Sequence, residues 1–281
     1  MKQLHYFFGL IASFWLVSCN SGVEIDRILP DNLVAVSSLI SPQDSVVRVY
    51  VYQGKALGEV ARSDAAIISD AKVTIEGNNT IHSLVFDAKT NSYSISNQEV
   101  KVTPSKQYKL QVTTKSGIIL KASCIVPSNP DMTIIKGLQE GNDYIFNLEW
   151  PVLDKVAFFT FSFDLTDVIF KPQLGASSGP SLGFITGSNL FNNNDRPNKL
   201  IESKVFNAFR AEKVSLKTTF YSLEGNAFNY LKTKTDAYNW NSNTSGLIPN
   251  LREPQPVFSN IQGGVGIFGA YNQGITITSI K

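Results

Sequence analysis

Hydrophobic and polar residues alternate along much of this chain, with the period of two that is typical of half-buried β-strands. Gly77-Asn78-Asn79 lies between two of the alternating segments and predicts a hairpin turn. Short strands separated by turn-forming residues at this spacing favour an immunoglobulin-like β-sandwich. The segments that carry the pattern are 33–40, 45–53, 71–76, 81–87, 93–95, 107–113 and 117–126.

The stretch Pro127-Ser128-Asn129-Pro130 predicts a boundary, and a second β-rich segment begins beyond it. Its strongest predicted core strand is 156–165, where phenylalanines occupy alternate positions. Ser222 is expected to cap a single helix near 223–238, with Glu224 in its first turn. Further strands are predicted at 143–150, 214–222, 265–268 and 275–280. An exposed loop is predicted at Asn192-Asn193-Asn194-Asp195 and a second loop at 239–256, while the stretch 171–190 is rich in Gly, Ser and Pro.

These patterns predict a mainly β protein in two parts. An N-terminal immunoglobulin-like β-sandwich domain is expected at 32–128. A second β-rich domain with one inserted helix is expected at 129–281. The length of 281 residues suits one large or two modest domains.

The N-terminus has the features of a bacterial secretory signal peptide. Residues 1–18 combine a basic Lys2 with an apolar run that is shorter than the roughly 20 residues needed to span a membrane. The ending Leu16-Val17-Ser18-Cys19 resembles a lipobox, which predicts lipid attachment at Cys19 and a tether over 19–31. Two or more acyl chains make such anchoring stable. The alternative is an ordinary secreted protein with a cysteine at this position.

Charge and cysteine content narrow the classes of partner and chemistry. The formal net charge is +2 and no cluster of Lys and Arg stands out, so no nucleic-acid partner is expected. If Cys19 is acylated, Cys124 has no disulfide partner. Cys124 shares one face of its predicted strand with Leu120 and Val126, which favours a small buried side chain over a reactive thiol.

Few residues are available for metal or histidine chemistry. His82 is the one histidine left once His5 departs with the signal, and we interpret it as a solvated surface residue. The motifs HExxH and CxxC are absent from the sequence. We therefore expect no metal, no cofactor and no enzymatic activity. A pair of carboxylates is the catalytic alternative left open, although Glu149, Asp164 and Asp167 are better explained as residues on solvated sheet faces.

The stretch Gly264-Val265-Gly266-Ile267-Phe268-Gly269 matches the dinucleotide motif GxGxxG letter for letter. A dinucleotide site also needs a helix that opens from the glycines and an acidic residue about 20 positions further on. Here a strand pattern follows instead. We interpret the glycines as permitting a bulge or a close approach of two backbones in a terminal strand pair.

Two surface features invite further hypotheses. Asp44-Ser45-Val46 resembles the short sequon for periplasmic O-glycosylation in Bacteroidetes, with Ser45 as the possible acceptor beside a turn. Tyr50 and Tyr52 share a polar strand face and could form a binding platform. Aromatic side chains in β-sandwiches more often serve as core or interface anchors.

Taken in order, several fragments resemble the Bacteroidetes outer-membrane lipoproteins grouped as domain of unknown function 4249. The most specific is the ending Pro256-Val257-Phe258-Ser259-Asn260-Ile261-Gln262-Gly263-Gly264-Val265-Gly266-Ile267-Phe268-Gly269. The others are the lipobox at Cys19, Leu33-Val34-Ala35-Val36, Ser69-Asp70-Ala71-Lys72-Val73-Thr74-Ile75, Tyr93, Tyr108-Lys109-Leu110 and Pro127.

The resemblance implies a β-rich two-part lipoprotein whose gene often lies beside that of a TonB-dependent outer-membrane receptor. It favours an accessory or binding role in nutrient capture or uptake. A structural or adhesive cell-surface lipoprotein is the alternative, and a carboxylate-dependent hydrolase is a weaker one. Asn20, where an aspartate would favour the inner membrane, points to the outer membrane. The choice between cell surface and periplasmic leaflet stays open.

Overall fold

The computed structural model is mainly β, as the alternation predicts. It describes residues 33–54, 66–129, 133–135, 139–140, 143–149, 157–170, 181–184, 190–192, 201–206, 211–242 and 255–279. The predicted signal peptide and Cys19 lie outside these ranges. No helix in the described part of the chain is long and apolar enough to cross a membrane.

Seven strands and a short helix make up the first part of the chain as far as the structure describes it. The strands are β1 (Val34–Ile40), β2 (Val46–Gln53), β3 (Lys72–Gly77), β4 (Thr80–Asp87), β5 (Ser92–Ser96), β6 (Gln107–Thr113) and β7 (Ile119–Ile125). Helix α1 (Asn97–Val100) follows β5.

The described residues of the second part contribute nine more strands and one long helix. The strands are β8 (Thr133–Ile135), β9 (Gln139–Glu140), β10 (Asp143–Glu149), β11 (Phe158–Phe170), β12 (Ser181–Phe184), β13 (Leu190–Asn192), β14 (Ile201–Phe206), β15 (Ala211–Leu223) and β16 (Val265–Ser279). Helix α2 spans Gly225–Ser242.

The strands form one long sheet and one short sheet. The long sheet has the order β13-β11-β15-β16-β1-β2-β5-β4-β3-β6-β7. The short sheet has the order β12-β14-β10-β8, and β9 pairs with β10. Alternate residues of β1 to β7 point into a shared hydrophobic core, so strand alternation becomes burial of one face. This order is compatible with the predicted immunoglobulin-like sandwich.

A buried tyrosine fixes the start of β6. The Tyr108 hydroxyl donates to the carbonyl of Lys101 at 2.9 Å and accepts from the backbone N–H of Thr103 at 2.9 Å. Its ring occupies the space beside Gly77 that a Cβ would fill. This arrangement resembles the tyrosine corner of immunoglobulin-like sandwiches, in which a tyrosine hydroxyl near the start of a strand bonds to backbone a few residues upstream.

Strand β16 belongs to both parts of the molecule. Its first six residues pair in parallel with β1, from Val265 beside Ala35 to Ala270 beside Ile40. The remaining residues pair antiparallel with β15. The sequence predicts two strands here, but one continuous strand is present. The predicted division after residue 128 stays a prediction, and any division of the chain must accommodate this shared strand.

The glycines of the GxGxxG stretch allow β16 to approach β1. Gly266 has φ 119° and lies directly against the carbonyl oxygen of Val36. A Cβ at Gly264 would meet both Val34 and the Leu120 side chain. The prediction of a close backbone approach in a strand is therefore confirmed. The stretch leads into strand and not into the helix that a dinucleotide site requires.

Helix α2 packs on the outer surface of β16. Ala227 of the helix is fully buried and lies over Gly269, where a Cβ would stand 3.0 Å from the Ala227 Cβ. Phe228 stacks on Phe158 with ring centroids 4.5 Å apart. The absence of a side chain at Gly269 therefore sets how closely the helix can approach the sheet.

The prediction that Ser222 caps this helix is wrong. Ser222 is the penultimate residue of β15, and its hydroxyl donates to the carbonyl of Ser128 at 2.7 Å. Glu224 takes the capping role, since its carboxylate accepts from the backbone N–H of Ala227 at 3.2 Å. A carboxylate at a helix N-terminus satisfies a free backbone N–H and interacts favourably with the helix dipole.

The phenylalanine-rich strand is a core strand, as predicted. Phe159, Phe161 and Phe163 on β11 are buried on one face, where Phe220 of β15 and Phe191 of β13 meet them. The Phe159 and Phe220 ring centroids are 5.2 Å apart. Contacts between aromatic rings at this distance add to the free energy gained from burial.

The predicted loops contain some regular structure. Strand β13 ends at Asn192, the first residue of the predicted loop 192–195, and helix α2 runs to Ser242, past the predicted loop start at 239. Strand β12 lies inside the Gly-, Ser- and Pro-rich stretch 171–190. The remaining residues of 239–256 are described only from 255. Strands β8, β9, β13 and β14, like helix α1, have no counterpart among the predicted elements. Short strands offer too few alternating positions for a pattern to emerge.

Replacing Gly266 by alanine should strongly destabilise the protein. The new Cβ would meet the Val36 backbone, and the alanine would have to adopt a disfavoured positive φ. We therefore expect a loss of about 3 kcal/mol or more in the free energy of unfolding. Gly117→Ala is the matched control, because Gly117 has φ 88° but open space around it. For Gly117→Ala we expect a loss of about 1 kcal/mol in the free energy of unfolding. Equal losses in urea unfolding would contradict the close-approach argument.

Candidate functional site

A solvent-open groove of about 450 Å³ crosses the outer face of β3, β6 and β7. The strand register places its floor residues in rows. Thr74 of β3 pairs with Gln111 of β6, and Gln111 pairs with Lys121 of β7. An isolated bridge then pairs Lys121 with Gln262, in the segment that precedes β16. One row of four polar side chains therefore runs across the strands.

A second row lies beside the first. Ile81 of β4 pairs with Glu76, Glu76 with Lys109, and Lys109 with Ser123. Because paired residues of an antiparallel sheet project from the same face, all four side chains of this row border the groove. Ile81 is 69% exposed and gives this row an apolar end.

The edge of the groove is held by Asn260. Its amide Nδ2 donates to the carbonyl of Phe268 at 2.8 Å, and its Oδ1 accepts from the Phe268 N–H at 3.0 Å. Nδ2 also lies 3.5 Å from the carbonyl of Ser123 on β7. One side chain thus joins the incoming segment to β16 and to the groove floor. Asn226 of α2 lines the groove beside it.

The groove has one compensated and one uncompensated cation. Lys109 Nζ lies 3.0 Å from the Glu76 carboxylate, and both side chains are about half exposed. Such an exposed pair contributes little to stability. Lys121 forms no ion pair with any residue that the structure describes. The side chains of Gln111 and Gln262 likewise make no hydrogen bond within the described residues, so their donors and acceptors face solvent.

A smaller cavity of about 280 Å³ continues the groove. It shares Glu76 and Lys109 with the larger one and adds Lys106 and Gln107 at the start of β6. The turn residue Asn79 also lines it. The two cavities therefore form one elongated polar channel whose charged side chains are mainly basic.

The predicted site residues do not converge on this groove. Cys19 lies outside the described residues. Ser45 is exposed after the turn between β1 and β2, as an acceptor residue would have to be, and its glycosylation stays a prediction. Cys124 is buried with its side chain on the core face, as predicted, and burial raises its pKa well above the ordinary thiol value.

The histidine prediction needs correction. His82 pairs with Ile75 on the inner face of the sheet, in line with buried Leu84, and is half-buried. The sequence missed this because the outward positions of β4 are taken by the apolar Ile81 and Val85, which are both exposed. Polarity and burial therefore disagree at Ile81, His82 and Val85, although Leu84 of the same strand is buried.

Two of the three candidate carboxylates lie on β11. Asp164 is exposed on β11 opposite Lys217, and Asp167 is exposed at a register shift of the same strand. Glu149 is the last residue of β10, and its side chain is not among those that the structure describes. Within the described residues, no group of three His, Cys, Asp or Glu side chains could hold a metal ion.

The aspartate beside Ser45 has a structural partner. The Tyr271 hydroxyl donates to Asp44 Oδ1 at 2.8 Å and ties the turn to β16. Burial raises the pKa of Asp44, and the hydrogen bond from Tyr271 and the charge of Arg48 oppose this only in part. Burial also raises the pKa of Tyr271.

Neighbouring residues strengthen this junction between the turn and β16. Gln43 Nε2 donates to the buried Asn272 Oδ1 at 2.7 Å, and Asn272 Nδ2 donates to the carbonyl of Pro127 at 3.0 Å. Asn97 of α1 donates to three carbonyls of the turn, the shortest at 2.8 Å to Asp44. The predicted linker residue Pro127 is therefore bonded to β16.

The tyrosines Tyr50 and Tyr52 stack on the outer face of β2, with ring centroids 6.2 Å apart and nearly parallel planes. Both rings are half-buried. They do not line the polar groove. The platform hypothesis for this pair stays a prediction.

Sequence reasoning missed the groove residues Gln111, Lys121, Asn260 and Gln262. The available signal was weak: polar residues recur with a period of two on β3, β6 and β7, as they do on any solvated sheet face. Asn260 and Gln262 lie in the ending that carried the family resemblance. Only the register shows that these residues share one groove.

The chain belongs to the family described as Domain of unknown function (DUF4249), whose model matches residues 22–276. The predicted family is thereby confirmed. No protein of curated function matches the sequence.

Among solved structures, a Parabacteroides merdae β-glucuronidase is similar at 9% identity and a TM-score of 0.20, over 69% of this chain and 23% of that one. The Yersinia pseudotuberculosis adhesin InvE is similar at 12% identity and a TM-score of 0.21, over 70% of this chain and 58% of that one. The chain thus spans less than two thirds of either protein. TM-scores this low establish no shared fold or function.

Replacing Asp44 by asparagine should make the protein less sensitive to pH. A raised carboxyl pKa means that the folded state binds protons more tightly, so wild-type stability falls as pH rises from the unfolded value of 3.8 through the folded pKa. Asparagine keeps an acceptor for Tyr271 and removes this loss. The stability of Asp44→Asn relative to wild type should therefore increase through this window and then level off.

Denaturant unfolding between about pH 3 and pH 8 measures this difference. Tyr271→Phe is the companion variant, because it removes the hydrogen bond that lowers the Asp44 pKa and should widen the pH window. Burial also raises the pKa of Glu224, so part of the wild-type decline should persist in Asp44→Asn. A constant difference between Asp44→Asn and wild type at every pH would contradict the assignment.

Proposed function

We propose that this protein is a lipid-anchored accessory or binding protein of the outer membrane, which partners a TonB-dependent receptor in nutrient capture or uptake. The observation that carries the binding role is the groove on β3, β6 and β7, open to solvent and lined by polar side chains. Such a groove can hold a hydrophilic ligand by hydrogen bonds on a preformed sheet.

The proposed anchor agrees with such a role. A lipid on Cys19, followed by the tether over 19–31, would hold the groove near the membrane while leaving the folded part free to turn. Local concentration then replaces part of the affinity that a freely diffusing protein would need for its receptor. The role proposed is binding without catalysis.

Serine at position 19 should release the protein from membranes. Without the thiol no acyl chain can be attached, and the roughly 0.8 kcal/mol contributed by each buried CH₂ is lost. The full chain should label with an alkyne fatty acid and sediment with membranes, whereas Cys19→Ser should do neither. Cys124→Ser, which changes the other cysteine, should still be labelled and sedimented. Labelling of Cys19→Ser would contradict the anchor.

Purification in mild detergent tests the partnership. The chain should bring down an outer-membrane receptor in a fixed ratio from native membranes, and a strain lacking the chain should import the receptor's nutrient more slowly. Recovery of the chain alone, together with normal import, would contradict the proposal. If that strain lost surface attachment instead, the adhesive alternative would replace it.

A further inference from the structure

We propose that the groove on β3, β6 and β7 binds a linear acidic oligosaccharide, that is, a chain of sugar rings bearing carboxylates. This inference names the ligand class of the proposed binding function and rests on it. Three properties of the groove support it: the spacing of its polar rows, the chemistry of its side chains and its surplus of positive charge.

The spacing suits a chain of rings. The row from Thr74 through Gln111 and Lys121 to Gln262 crosses the strands at right angles. Neighbouring members are therefore about 5 Å apart, the distance between hydrogen-bonded strands. That step is close to the length of one pyranose ring. A linear oligosaccharide lying across the strands would thus present a new ring to each side chain of the row.

The side chains suit hydroxyl groups. Gln111 and Gln262 each offer a carbonyl acceptor and an amide donor, and neither group bonds to another described residue. Ser123 adds a hydroxyl in the second row. A sugar hydroxyl both donates and accepts, so a carboxamide can bond to two adjacent hydroxyls at once. Glu76 contributes a further acceptor, although it also bonds to Lys109.

The charges suit carboxylates. Lys109 is paired with Glu76, which leaves Lys121 as the uncompensated cation of the larger cavity. Lys106 in the adjoining cavity adds a second positive charge along the channel. Lys109 and Lys121 are offset by one strand and two residues, about 8 Å between Cα atoms from ordinary sheet dimensions. Acidic groups that recur along a chain can meet more than one of these lysines.

Two other polyanions fit less well. Single-stranded nucleic acid is bound through aromatic side chains on which bases stack, and the side chains lining both cavities include no aromatic ring. An acidic peptide could pair with the lysines, but its backbone has no vicinal hydroxyls to engage the free carboxamides. Both classes serve below as competing ligands.

Calorimetry with defined tetramers tests the inference. The full chain in detergent should bind a tetramer of galacturonate, glucuronate or mannuronate, and the carboxyl-reduced neutral tetramer should bind at least about tenfold more weakly. Affinity should fall as salt rises from about 50 to 500 mM, because the lysines are exposed. Tetraglutamate and tetrathymidylate should bind no better than the neutral sugar. The inference would be overturned if the neutral tetramer, tetraglutamate or tetrathymidylate bound as tightly as the uronate tetramer, or more tightly.

Matched charge changes locate the ligand. Lys121→Gln should weaken binding of the acidic tetramer by about tenfold, because it removes the uncompensated cation. Lys115→Gln makes the same change in an exposed turn outside both cavities and should alter the affinity less than twofold. Equal unfolding midpoints would show that both variants fold. Unchanged binding by Lys121→Gln would exclude the groove as the site.

Failure here is distinguishable from failure of the proposed function. If no uronate tetramer binds while the chain still copurifies with a receptor, the ligand class falls and the accessory role remains. If a tetramer binds to the groove but no receptor is recovered and import is normal, the ligand class holds and the receptor partnership falls.

Discussion

The close contact between the backbones of β1 and β16 is the constraint on which the rest of the structure depends. Side chains at Gly264 and Gly266 would occupy the space of the Val34 and Val36 carbonyls, so glycine is what lets the strands pair. That pairing brings Phe268 and Ala270 into the first hydrophobic core. It also directs the remainder of β16 to β15 and the preceding segment to β7, where the groove ends.

Much of the first part of the fold could be predicted from alternation, because one face of nearly every strand is buried and the other is solvated. Strand β4 shows where this reasoning fails. Its outward positions carry Ile81 and Val85, so polarity alone placed His82 on the wrong face. The prediction of the helix cap was wrong for a different reason. Ser222 and Glu224 are both residues that can cap a helix, and only the extension of β15 through Leu223 decides between them.

The candidate site was beyond sequence reasoning because it depends on register. Thr74, Gln111 and Lys121 are separated in the chain, and each is an ordinary polar residue of a solvated face. Their alignment follows from two strand pairings, β3 with β6 and β6 with β7, whose register the polar pattern alone does not fix. The motif that drew attention, GxGxxG, proved to serve the architecture. Its glycines nevertheless determine where Asn260 and Gln262 lie, so the motif acts on the groove indirectly.

The shared strand also constrains the order in which the chain can fold. β1 is the first strand of the described chain and β16 the last, so the contact that completes the first core joins residues separated by most of the sequence. Such long-range pairing is slow, because a large loop must close before any stabilisation is gained. Until synthesis reaches β16, one side of β1 presents unpaired backbone groups to other chains. A chaperone that shields this edge until β16 pairs would therefore protect the nascent protein against aggregation.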